Sequence, residues 1–156
     1  MPCKNPAMKK TQHSGDEPHG GSRASAPDPC YLAWFEHFNT CEYYEAHDAL
    51  EVLWLRTPGS DRNFFKGLIQ VAAAFVHLRR QLERPRHAKD STRMRPAVRL
   101  FRRATEHLAP FGPVHMRLDV AALCGLCESL AHRIEASDFA ENPWNPAKPP
   151  HIGLTA

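Results

Sequence analysis

Between Pro29 and Ala136 the apolar residues recur at the three-and-four spacing of helices, and no segment keeps the strict alternation of a half-buried strand. The pattern predicts an all-α chain folded as a single-domain bundle of about five helices. The first, over residues 29–38, places Leu32, Phe35 and Phe38 on one stripe, flanked by Tyr31 and Trp34. Asn39 breaks it. Asn39 and Glu42 have the spacing of an N-cap and its N3 partner, opening a second helix that runs to about Arg56. The run Thr57-Pro58-Gly59-Ser60 stops that helix, and Ser60 or Asp61 caps the third. The third carries Phe64, Phe65, Leu68, Ile69, Phe75 and Leu78 and is apolar over much of its circumference, which predicts a central position. Residues 81–92, charged and containing Pro85, read as a loop. A fourth helix is expected from about Met94 to Leu108, with Pro96 tolerated in its first turn, and a fifth from a cap at Asp119 to about Ala136.

The flanks differ in kind. Residues 1–28 are rich in Pro, Gly, Ser, Lys and His without a periodic apolar pattern, the composition of a disordered N-terminal tail. The helical domain is then 29–138, and 139–156, with Pro143, Pro146, Pro149 and Pro150, is a Pro-rich C-terminal tail expected to lie extended over the surface, pinned by Trp144. No apolar run of signal-peptide type opens the chain, and none approaches the roughly 20 residues needed to span a bilayer. A cytoplasmic location without a membrane partner is the expectation. Cys3, Cys30, Cys41, Cys124 and Cys127 are odd in number, which argues for thiols. Cys124 and Cys127 form a C-x-x-C inside an apolar helical run with no second pair, so they read as small core residues.

Candidate chemistry concentrates on the second helix. His47 and Glu51 are four residues apart and Trp54 three further, so all project from adjacent turns of one face, with Tyr44 one turn earlier. An imidazole and a carboxylate at that spacing can share a divalent metal or a proton, and a neighbouring indole would shield them from water. The same spacing also suits a buried hydrogen bond that only fixes packing. The short connection at residues 57–60 predicts an antiparallel hairpin of the second and third helices at the centre of the fold. A turn centred near Gly59 would set Glu51 near Gly67 and His47 near Gln70, with Gln70 and His77 as polar candidates for the opposite wall. Gly67, costly inside a helix, suggests close approach of backbone or ligand there.

The segment Phe38-Asn39, Tyr43-Tyr44-Glu45-Ala46-His47-Asp48 through Glu51 and Trp54, then Lys66-Gly67-Leu68-Ile69-Gln70 and His77, resembles the domain-of-unknown-function family numbered 309. The family hallmark H-x-x-x-E-x-x-W is matched by His47, Glu51 and Trp54, and the resemblance extends over residues 31–108. It implies a helical bundle and a metal-binding role for the motif, and brings no established activity. Cys41 stands where the family usually has Gly and Asp48 where it usually has Glu, and the charged segment 81–92 departs from the family pattern.

Three functions follow from these residues. The first is a metal-dependent hydrolase, with His47 and Glu51 as ligands or acid and base and Gln70 or His77 completing the site. The second is a non-enzymatic module for an acidic partner such as a nucleic acid. Its basic stripe would be Arg95, Arg99 and Arg102 on one helical face, with Arg103 beside them. The stripe lacks interleaved aromatics, and the net charge of +3 is too small to favour nucleic acid for the whole molecule. The third is a structural protein, with assembly as a homo-oligomer compatible with any of the three.

Overall fold

Asp28 starts the first helix, because its side chain accepts the Cys30 N–H at 2.8 Å and Pro29 has no N–H to leave unsatisfied. The computed structural model describes residues 26–87 and 92–156. The expected disorder over 1–28 therefore falls, for residues 1–25, outside the described residues, while Asp28 belongs to the fold. Helix α1 spans Pro29–Asn39, α2 Tyr43–Arg56, α3 Asp61–Glu83, α4 Met94–Leu108 and α5 Val120–Ala136. The all-α expectation holds, with one unforeseen addition. After a single 3-10 turn, Ala109–Phe111, two-residue strands β1 (Val114–His115) and β2 (Leu118–Asp119) form an antiparallel hairpin, Val114 facing Asp119 and His115 facing Leu118. Its turn residues Met116 and Arg117 both take positive φ, 46° and 63°. Asp119 caps α5 as predicted, accepting from the Ala122 N–H at 2.9 Å.

Packing places α3 in the middle, against α2 and α4, with α1 packed on α2 and touching α3 through Trp34 and Phe38, and α5 packed on α4. Its buried residues, among them Phe64, Phe65, Leu68, Phe75 and Leu78, account for that position. The stripe of α1 is rotated from the predicted one. Tyr31, Trp34, Phe35 and Phe38, an i, i+3, i+4, i+7 set, are buried, whereas Leu32 is 38% exposed. Tyr31 and Trp34 can go inside because their polar tips are satisfied there, by the Met116 carbonyl at 3.0 Å and the Leu68 carbonyl at 3.1 Å. Burial pushes the Tyr31 hydroxyl above its ordinary pKa.

Other boundaries move for local reasons. Helix α2 begins after Glu42 with no side-chain cap, so the capping box expected from Asn39 and Glu42 does not form. Glu42 turns to His37 at 2.6 Å, and Asn39 is committed to the far end of the chain. Asn39 Nδ2 donates to the Ile152 carbonyl at 2.9 Å and its Oδ1 accepts the Ile152 N–H at 2.8 Å. Between the helices Cys41 sits at φ 62°, a conformation glycine adopts without strain. Helix α3 continues to Glu83, through part of the expected loop, with Arg79 and Glu83 paired one turn apart at 2.8 Å.

The C-terminal segment follows the surface and is anchored along its length. Asn142 Nδ2 donates to the Leu78 carbonyl, and Trp144, buried, donates from its indole to the Tyr43 hydroxyl at 2.9 Å. Leu154 bridges to Leu118 of β2. Among the described residues no helix is long and apolar enough to cross a membrane.

Candidate functional site

The outer face of α2 exists because that helix buries only one side. Tyr43, Ala46, Ala49, Leu50 and Leu53 face the core, which leaves His47, Asp48 and Glu51 directed away from it. Their side chains are 29%, 55% and 47% exposed. His47 Nδ1 lies 3.2 Å from Asp48 Oδ1 and 3.9 Å from Glu51 Oε2. One ligand atom from each of the three lies within 4.8 Å of the other two. Asp48 was not among the residues singled out by the motif, although its adjacency to His47 was the available signal. Tyr44, exposed, stacks on the His47 ring with centroids 6.3 Å apart.

Trp54 does not shield this cluster from water. It is partly buried, rests on the core, and is overlain by two cations from α3: the Arg62 guanidinium at 4.5 Å and the Lys66 ammonium at 4.6 Å from the ring centre. The wall facing Trp54 is therefore basic, and it is built from residues the motif did not point to.

Gln70 and His77 belong elsewhere. Gln70 is buried and its Oε1 lies 2.8 Å from His107 Nδ1 of α4, while His77 Nδ1 lies 3.2 Å from Arg93 Nη1 at the start of that helix. Both turn towards the α3–α4 seam, so they do not face His47 or Glu51 as expected. Gly67 faces the same seam. A Cβ there would stand 2.6 Å from Leu108 Cγ and 3.3 Å from the Ala104 carbonyl, so its close approach is to α4 and not to a ligand. Equidistance from the turn carried no information on rotation about the α3 axis.

The donor set of α2 fits a divalent ion of the zinc or manganese kind: one imidazole nitrogen and two carboxylate oxygens, with sides open to water. Metal–ligand bonds of roughly 2.0–2.2 Å place neighbouring donors about 3–3.5 Å apart. The His47–Asp48 separation is already of that size, and Glu51 needs a small side-chain adjustment.

The other candidates are less free. Arg95 lies over the Phe139 ring at 4.0 Å and Arg102 pairs with Glu135 at 3.1 Å, which leaves Arg99 and Arg103 as the exposed members of the stripe without such a contact among the described residues. Cys127 is buried, and desolvation pushes its thiol far above the ordinary range; Cys124 is shifted the same way, by desolvation first and Glu128 second.

A cavity of about 220 Å³ opens beside Tyr44 between Glu45, Arg79, Arg80 and Glu83, and its charges of both signs single out no ligand class. No curated protein and no solved structure matches the chain. Residues 31–87, which hold Tyr44, His47, Asp48, Glu51, Trp54, Arg62 and Lys66 but none of the α4 stripe, are similar to the family model described as Domain of unknown function (DUF309).

Proposed function

We propose that this protein binds a divalent metal ion at the His47, Asp48 and Glu51 face of α2 and uses it in hydrolysis. The observation that carries the reading is the convergence of three donor atoms from one helical turn to within 4.8 Å. Neither carboxylate has a lysine or arginine partner among the described residues, so their two negative charges are left for a cation to neutralise. Half-exposed side chains also suit a working site better than an architectural one. A structural zinc site is closed by four protein ligands, whereas three ligands leave room for water and substrate.

A divalent ion held there supplies Lewis acidity and lowers the pKa of a bound water. The chain's own part is to hold charge and orientation. His47 contributes a neutral nitrogen, Asp48 and Glu51 contribute the compensating charge, and Tyr44 packs on the imidazole and limits its rotation. Isothermal titration of the purified chain with Mn²⁺ and Zn²⁺ tests the site. One ion per chain is expected, with binding abolished in His47→Ala and weakened roughly tenfold or more in Asp48→Asn and Glu51→Gln. No saturable binding, or binding indifferent to all three substitutions, would overturn it.

A further inference from the structure

Arg62 and Lys66 are placed where general electrostatics disfavours them. They are like charges four residues apart on α3, and Arg62 stands in its first turn, near the positive end of the helix dipole. Arg56, Arg79, Arg102 and Arg133 each have a carboxylate partner, at 2.9, 2.8, 3.1 and 2.6 Å. Arg62 and Lys66 have none among the described residues and converge on one indole, at 4.5 and 4.6 Å from its centre. That indole is Trp54, one turn beyond Glu51, at a separation that puts Cβ atoms about 5–6 Å apart. The cations over Trp54 thus stand about one helical turn along α2 from Glu51, which, like Asp48, has His47 as its ionic partner.

We infer that Arg62 and Lys66, held over Trp54, are an anion clamp and that the molecule recognised beside His47, Asp48 and Glu51 carries a phosphate dianion. The clamp stands on its own geometry, while its coupling to a metal rests on the reading of the previous section. A carboxylate monoanion needs one cation, and two converging cations suit a group with two negative charges. A guanidinium gives paired donors to phosphate oxygens and an ammonium gives a point charge. Without metal the two carboxylates lower the positive potential around the clamp, and the rim attracts anions weakly. A bound divalent ion leaves the rim net positive, so metal and phosphate favour each other, reciprocally. Two cations are enough for one phosphate group, and the patch is too small to track a nucleic-acid backbone.

The test is calorimetry on the full chain with inorganic phosphate, phenyl phosphate and acetate, each with and without saturating Mn²⁺, blank titrations removing metal–phosphate association. The double variant Arg62→Gln, Lys66→Gln is run alongside. Phosphate should bind the manganese-loaded protein at least tenfold more tightly than the metal-free one, and acetate more weakly than either phosphate. The double variant should lose at least tenfold in phosphate affinity with its Mn²⁺ affinity in the absence of phosphate changed less than threefold. Tighter phenyl phosphate assigns the clamp to an ester and tighter inorganic phosphate to the free ion. Phosphate binding that is absent, that is equal in wild type and double variant, or that is no stronger than acetate binding overturns the clamp. If no Mn²⁺ binds, the metal reading fails by itself, and the clamp is judged by the same comparison on metal-free protein.

Discussion

Trp144 and Trp54 sit near opposite ends of the α2–α3 hairpin and do opposite things. Trp144 closes the end where α2 begins: it is buried, its ring meets Tyr43 edge-on at 5.9 Å, and its N–H is taken by the Tyr43 hydroxyl. Trp54, near the connecting turn, is only partly buried, carries cations on its face, and its indole N–H has no hydrogen-bond partner among the described residues. An indole that serves packing has its polar edge satisfied inside, as Trp34 does on the Leu68 carbonyl. One left at a charged rim has apolar surface still to offer. The contrast separates a matched end of the hairpin from an unmatched one, and the proposed site lies at the second.

The comparison breaks most visibly if Trp144 is removed. Trp144→Ala should cost about 3–5 kcal/mol in denaturant unfolding, as expected for truncating a buried large aromatic, and should leave Mn²⁺ affinity unchanged under folded conditions. A loss below about 1 kcal/mol would show that the C-terminal segment is not part of the matched end. Next in size is the α3–α4 seam. Gly67→Ala gains helix propensity but drives a Cβ to 2.6 Å from buried Leu108 and towards a helical carbonyl that cannot retreat, so a net loss of about 1–3 kcal/mol is expected. An increase in the unfolding midpoint would show that the helices part more easily than this geometry implies. The smallest stability effect belongs to the unmatched end. Glu51→Gln should change stability by less than about 0.5 kcal/mol, because the side chain is half-exposed and, among the described residues, pairs only with His47, at 3.9 Å. A loss above about 2 kcal/mol would return His47 and Glu51 to an architectural role.

The helices were legible in the chain because each depends on a local, repeating pattern with local stops, and the Asp119 cap needs only the three residues after it. What was not legible depends on partners far along the chain. Asn39 looks like a cap at short range, yet its amide is taken by Ile152, 113 positions away. Gly67 and Gln70 announce close approach and a polar contact, but only the packing of α4 shows that Leu108 and His107 are the partners. The β1–β2 hairpin has too few residues for alternation to register, and its turn uses Met116 and Arg117 in place of the usual glycine or asparagine. At the site, His47, Glu51 and Trp54 stood out by spacing. Arg62 and Lys66 did not, since a cation pair on an exposed helix looks the same whether or not an indole lies beneath it.

The pairing of Asn39 with Ile152 also bears on the order in which the molecule comes together. A strap that joins positions so far apart and holds to Tyr43, Leu78 and Leu118 has nothing to dock on until α1, α2, α3 and β2 are in place. Its formation closes the largest loop in the described chain and so belongs late in folding, after the nearer contacts are made. A chain emerging in sequence order reaches that last element only when the bundle is complete, which makes the strap a latch set by synthesis itself: helices first, fastening afterwards.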